Sequence, residues 1–512
     1  MLSQADTNNV SRGLPVGIKA FLMLKNVFKS LTLFPIVFFA LILLIFCKPS
    51  QLNNPSDSHS QDYFETAVLR CALGLGPCNP CLPAQGPWGS FLGTSTLAGA
   101  FTGAIKVKAD YTHNLYGLSF TNHDFEQGGI PFQGTPGSTL NILAAKFSAA
   151  GERQWIRYLG QRSDRPNGLI FRDNDGVYTY ATTPTSILPF ANTPHVGVGA
   201  NSAIVKLSID GTILWSKYFN DGLNIDSGII SEIKDSSDQS GFYVLGIATG
   251  ASINPGTLIN SPTNNDWFIQ KLSYDGVALW TKYYPFGPAI SNFRPYRLEA
   301  IPGGQGYIIV ALVEADLNGS FLNGKNTYPG VMGNLVMKLD ANLNYQWHRY
   351  LGDTTVGASD NIPPSLIVYA DQTILTSTLY SDPVPSLGLP HPGTGIDSTI
   401  FYRLDGSDQL LNSSFVYNSG ESVMISEGSF LPNGKVLITG SVNQLVGFAS
   451  ELDPISLKED YRISGKENYK ASVIKHCDGS FSSFGSSSSA IADSPIPFGI
   501  GSSNAYFSRF QR

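Results

Sequence analysis

From residue 88 onward the chain is built of short runs in which apolar and polar positions alternate, four runs to a unit. In one unit they read GIISEIK from Gly228, GFYVLGIA from Gly241, DWFIQKLS from Asp266 and VALWTKYY from Val277. Period-two alternation with many β-branched and aromatic residues predicts strands. The last two runs of each unit form a shared phrase: AKFSAAGERQWIRYLG from Ala145, VKLSIDGTILWSKYFN from Val205, QKLSYDGVALWTKYYP from Gln270 and MKLDANLNYQWHRYLG from Met337. A fifth copy, from Tyr402, keeps the basic residue and loses the Trp; a sixth, from Ser450, is more decayed. The seventh is split: SRFQR begins at Ser508, and its missing half stands near the other end as WGSFLG, Trp88 to Gly93. This pattern predicts an all-β fold, a seven-bladed β-propeller of four-stranded antiparallel blades, closed by an N-terminal strand that joins the last blade.

The basic positions Lys146, Lys206, Lys271, Lys338, Arg403, Ser450 (its sixth equivalent) and Arg509 are spaced by 60, 65, 67, 65, 47 and 59 residues. The Trp is expected on the outer strand as a packing anchor against the adjacent blade, and the basic residue at an outward or rim position. Asp210-Gly211 and Asp275-Gly276 read as tight turns between third and fourth strands, and Asp173-Asn174-Asp175-Gly176 as another hairpin turn. Second-to-third connections are long and rich in Pro, Gly, Asn and Thr in every unit but the sixth, where ITGSVNQLVGF from Ile438 runs nearly straight on. Alternating strand direction gathers those loops on one face, where binding usually resides. The loops near Ile187 to Val198, Leu317 to Pro329 and Pro383 to Pro392 are the expected partner contacts, and short turns in their place are expected to leave the fold intact.

The N-terminus changes the picture. Leu31 to Phe46 is uncharged and apolar, preceded by Lys25 and Lys29 and followed by Cys47. It is short for a membrane-spanning helix and fits the apolar core of a secretory signal; Met23 would be a more ordinary start. Residues 1–46 are thus expected to be a signal or anchor, residues 47–87 a polar tether with a Cys-rich end, and residues 88–512 the propeller. Leu44-Ile45-Phe46-Cys47 resembles a bacterial lipoprotein signal, which implies acylation of Cys47, with Phe46 a departure from the small residue usual there. An uncleaved anchor is the alternative. From Cys47 onward the net charge is about −9, and no basic-aromatic stripe occurs, which argues against nucleic acid as a partner.

Cys71, Cys78 and Cys81 precede the closing strand, and Cys477 lies in the last unit. Export favours disulfides; a bridge to Cys477 is expected, with the connectivity open. A zinc site with His476 and a redox pair at Cys78 and Cys81 are weaker readings. His123, His195 and His391 fall in long loops, where solvated side chains are the simpler reading than a shared metal. No catalytic motif occurs, so neither a cofactor nor enzymatic activity is expected.

VKLSIDGTILWSKYF resembles the bacterial β-propeller repeats often called SBBP repeats, strongly in the units of Trp215, Trp280 and Trp347. That resemblance implies an exported protein. Asp210 to Trp215 and Asp275 to Trp280 also resemble quinone-dehydrogenase-like repeats, but those recur at shorter intervals in eight blades, and no cofactor residue carries over. The resulting expectation is an outer-membrane or cell-surface lipoprotein that binds a protein or glycan through its looped face. The alternatives are an assembly lipoprotein facing the periplasm and, behind it, a quinoprotein-type or lyase enzyme.

Overall fold

The repeated phrase folds into two adjacent antiparallel strands, and two further strands precede it in each unit. The computed structural model describes residues 86–92 and most of 102–510; the segments 93–101, 126–131, 162–167, 184–200, 220–227, 285–293, 353–363 and 489–503 and some shorter stretches are outside the described residues. So are residues 1–85, with Cys47, Cys71, Cys78 and Cys81, and also Cys477 and His195.

The strands form antiparallel sheets in sequence order. One holds β2 (Thr102–Ala109), β3 (Leu115–Thr121), β4 (Asn141–Phe147) and β5 (Arg153–Gln161); the next holds β6 (Gly168–Arg172), β7 (Gly176–Thr183), β8 (Asn201–Leu207) and β9 (Ile213–Phe219). Then come β10 (Gly228–Asp235), β11 (Phe242–Ala248), β13 (Asp266–Leu272) and β14 (Ala278–Tyr284), with the short β12 (Thr257–Leu258) on the free edge of β14. β15 (Arg294–Ile301), β16 (Gly306–Val313), β17 (Gly333–Leu339) and β18 (Tyr345–Leu351) follow. β19 (Leu366–Val368), β20 (Ile374–Tyr380), β21 (Ser398–Leu404) and β22 (Leu410–Phe415) are joined by one bridge, Ser398 to Val423, to β23 (Val423–Phe430), β24 (Val436–Val442), β25 (Val446–Leu452) and β26 (Glu459–Ser464). In the last sheet β27 (Tyr469–Lys475), β28 (Phe481–Ser487) and β29 (Asn504–Phe510) are completed by β1 (Trp88–Phe91), which pairs with β29 from Trp88 opposite Arg509 to Phe91 opposite Tyr506.

The first strands touch in the order β2, β6, β10, β15, β19, β23, β27, and β27 returns to β2. Apolar side chains fill the space between successive sheets. Tyr178, Ile204 and Phe219 pack with Ile233, Val244 and Phe268, and Phe484 and Phe507 of the last sheet pack with Val107 and Phe147 of β2 and β4. Four-stranded antiparallel sheets stacked about a common axis are the architecture of a β-propeller.

The Trp of the phrase latches three of the sheets to the next. Trp88, Trp155 and Trp215 donate their indole N–H to the carbonyls of Ala149, Ile209 and Tyr274, in the third-to-fourth turn of the following sheet, at 2.8–3.1 Å. Those turns carry Gly151, Gly211 and Gly276 at φ of 84°, 83° and 78°, and an added Cβ would stand 2.6–3.0 Å from the indole. Glycine is therefore required twice over, by its positive φ and by the ring lying on it. Where Leu343 takes that slot (φ 61°), it is itself buried and Trp280 packs beside it. Asn412 stands where the fifth copy lost its Trp, and its side chain donates to Ile455 O at 3.0 Å in the next turn, so the latch survives the substitution.

In three copies the basic residue is not held outward: Lys206, Lys271 and Arg509 are buried, whereas Lys146, Lys338 and Arg403 are half-buried. Lys206 bonds Asp175 at 2.6 Å and Lys271 bonds Asp238 at 2.5 Å, both carboxylates lying in the first-to-second turn of the same sheet. Desolvation is tolerable there because the partner is adjacent and the stem packs on Tyr178 or Tyr243.

The long second-to-third connections also depart from expectation. Where described, they fold back along the outermost strand. β12 runs parallel to β14, and Asn260 exchanges two hydrogen bonds of 2.8 Å with the backbone of Tyr283. Asn326 does the same to Tyr350 at 2.9 Å, and Leu387 N–H and Leu389 O bond Ser413 and Phe415. The phrase Tyr fixes the loop base: Tyr158, Tyr283 and Tyr350 hydroxyls accept the N–H of Phe125, Ile253 and Leu317 at 2.6–3.0 Å. The loops thus cover edges that would otherwise present unpaired backbone.

Candidate functional site

The axis of the fold is lined by the first strand of each sheet, and five of these strands share one irregularity. A register shift falls between Ala104 and Lys106, Ile230 and Glu232, Pro295 and Arg297, Ile425 and Glu427, and Lys470 and Ser472. A β-bulge re-aims the residues that follow it. Here it directs Lys106, Glu232, Arg297 and Glu427 at the axis, with Lys108, Lys234 and Glu299 two residues further along the same strands. Together with apolar residues of β6 and β19 they line a cavity of about 480 Å³ near the end of the axis that carries the first-to-second turns.

Most of these charges neutralise one another across sheets. Lys106 pairs with Glu427, which also accepts the Ser472 hydroxyl at 2.5 Å. Lys234 pairs with Glu299 at 2.5 Å, and Arg297 with Glu232 at 3.6 Å. Glu232 accepts a further bond from Leu298 N–H at 2.5 Å. Asp235, at the cavity rim, is held by Arg172 at 2.5 Å. Lys108 makes no hydrogen bond or ion pair with any described residue.

The environment shifts these groups in opposite directions. Burial raises the Glu427 carboxyl, but Lys106, Lys108 and the Ser472 hydroxyl outweigh it and bring it down to about 2. Burial raises Glu232, and Arg297 and Lys234 only partly offset this. Burial and the neighbouring Lys106 draw the Lys108 ammonium down to about 8, with Glu427 opposing them. Such a cluster can hold and orient a charged guest.

The sequence motifs singled out as chemical candidates lie elsewhere. His391 is buried in its loop with Nε2 3.2 Å from Tyr380 O, and Gly393 N–H donates to its Nδ1. His123 stacks edge-on against Phe125. Among the described residues no three His, Cys, Asp or Glu gather as a metal site. Asp175-Gly176 does form a hairpin turn, between β6 and β7. The channel charges were absent from the sequence reading. Their signal was the charged pair at i and i+2 in a first strand: Lys106 and Lys108, Glu232 and Lys234, Arg297 and Glu299.

No family model matches the chain, and no curated protein matches it. Solved structures similar to it include a Dos1 propeller at 9% identity (TM-score 0.41, 83% of this chain and 94% of that one). Others are the periplasmic gluconolactonase of Pseudomonas aeruginosa at 13% (0.37, 70% and 84%) and the quinohemoprotein alcohol dehydrogenase of Comamonas testosteroni at 10% (0.38, 83% and 76%). At these scores the architecture rests on strand pairing alone.

Proposed function

We propose that this chain is a seven-bladed ring closed by β1, exported and held at the outer membrane or cell surface by a lipid on Cys47. In this reading it serves as a non-enzymatic binding scaffold for a protein or a glycan. The observation that carries the binding role is the state of the long loops. They are hydrogen-bonded to the outer strands, yet they leave Leu387 67% and Ile259 52% exposed, with Leu258 and Leu389 beside them also exposed. Apolar side chains on an ordered backbone bind at a smaller entropic cost than those on a free loop.

The loops are also part of the scaffold. Leu317 and Val384 are buried, so exchanging whole loops for short turns would strip edges and core together, contrary to the sequence expectation. Point substitution is the cleaner test. Leu387→Ser with Leu389→Ser, and Leu258→Ser with Ile259→Ser, are expected to lower binding on protein and glycan arrays at least tenfold, with an unchanged melting temperature. Undiminished binding would move the site off the looped face. For the anchor, Cys47→Ala is expected to shift the protein from the membrane to the soluble fraction; retention in the membrane would contradict lipidation. Protease shaving of intact cells separates a surface position from a periplasmic one.

A further inference from the structure

We propose that the axial cavity is a binding site for one small organic monocarboxylate, held by the Lys108 ammonium and the Ser365 hydroxyl. Every carboxylate lining the cavity is already committed to a cation: Glu427 to Lys106, Glu299 to Lys234, Glu232 to Arg297, and Asp235 to Arg172 outside the lining. Lys108 is the lining cation that no ion pair engages among the described residues. A half-buried ammonium without an ion-pair partner is partly desolvated at a cost, and the lowered affinity of Lys108 for its proton reflects that cost. A guest with one negative charge removes it.

A second, independent group points to the same space. Ser365, at the entry to β19, lines the cavity, is 5% exposed, and its Oγ has no hydrogen-bond partner. A buried hydroxyl is seldom left unsatisfied. β19 does not neighbour β2 in the order of first strands, so the ammonium and the hydroxyl approach the lumen from separate strands. A guest that bridges them needs a carboxylate at one end and a polar group at the other. The volume of about 480 Å³ suits a small organic acid rather than a lone halide. Charge selects further. A dianion such as a phosphate monoester would bring a second negative charge against Glu427 and Glu299 with no cation left to meet it.

The groups facing Lys108 also define its pH response. Lys106 and Lys234 disfavour its protonated form, Glu427 and Glu299 favour it, and desolvation disfavours it. Only the ammonium binds the carboxylate. Affinity is therefore roughly constant from about pH 5, where the guest is fully a carboxylate, to about pH 8, and falls roughly tenfold per unit above that.

The test is calorimetric titration of the full chain with lactate, with its deoxy analogue propionate, and with inorganic phosphate. One lactate per chain is expected at pH 7, bound more tightly than propionate and than phosphate. Lys108→Met is expected to weaken lactate at least tenfold, and Ser365→Ala to abolish the preference for lactate over propionate. The loss of affinity above pH 8 in the unaltered protein is a readout that needs no variant. Absence of lactate binding, phosphate binding more tightly than lactate, unchanged affinity in Lys108→Met, or affinity level from pH 7 to pH 10 would each overturn the proposal.

Discussion

Deleting residues 88–93 is expected to unfold the protein at temperatures where the intact chain is native. β1 is short, but it is buried and joined to three sheet elements. Phe91 and Leu92 are 0% and 1% exposed; side chains of that size contribute roughly 1.5–3 kcal/mol each when fully buried. Leu92 N–H donates to Ala505 O at 2.9 Å, and Leu92 O accepts from Arg153 at 2.9 Å. Trp88 bonds Ala149 O at 2.8 Å and lies on Gly151. Losing these groups costs on the order of 5 kcal/mol, comparable with the whole stability of many domains, and it leaves β29 as a bare edge. Differential scanning calorimetry checks this, and a deletion protein with the parental Tm would refute it.

The second large effect is expected from Glu427→Gln. Glu427 answers Lys106 directly and opposes the field of Lys106 on Lys108, so its removal leaves two ammonium groups in one enclosure. Breaking one side of a buried pair typically costs roughly 3–5 kcal/mol. The pH dependence has a definite sign. The folded-state pKa of Glu427 is about 2, against 4.5 for a free carboxyl, so its contribution is present above about pH 4.5 and is lost as pH falls towards 2. Denaturant titrations at pH 7 and pH 3 should show a loss of stability on acidification that is shallower in Glu427→Gln. A variant within 1 kcal/mol (roughly, for a single substitution) of its parent at pH 7 would show that the pair contributes little. Lys108→Met provides the control in the opposite direction, because it removes the unpaired charge and is expected to keep or raise stability.

Much of the fold was legible because the phrase repeats what packing repeats. The Trp opposite the basic residue, in register at Lys146 with Trp155 and Lys206 with Trp215, recurs since every sheet must grip the next turn in the same way. The split phrase placed β1 beside β29 for the same reason. Legibility fails where a partner lies outside the phrase. Asn412 replaces a Trp without breaking the latch, because one side-chain N–H suffices for the carbonyl of Ile455. The burial of Lys206 depends on Asp175, which lies outside the phrase. The channel ion pairs join Lys106 to Glu427 across the lumen and Lys234 to Glu299 between neighbouring sheets, so different copies need opposite charges and no consensus can arise. The loops read as free because Pro and Gly are abundant in them; their hydrogen bonds to the outer strands come from single residues such as Asn260 and Asn326.

The proposed ring closure rests on the pairing of β1 with β29, and hydrogen exchange at residues 89–92 tests it most directly. If β1 is a strand of the last sheet, its amides, the Leu92 N–H to Ala505 O bond included, exchange only as slowly as those of β29, and both segments open together in mild denaturant. Exchange of residues 89–92 within seconds while β29 stays protected would show an unpaired N-terminal segment and an open ring.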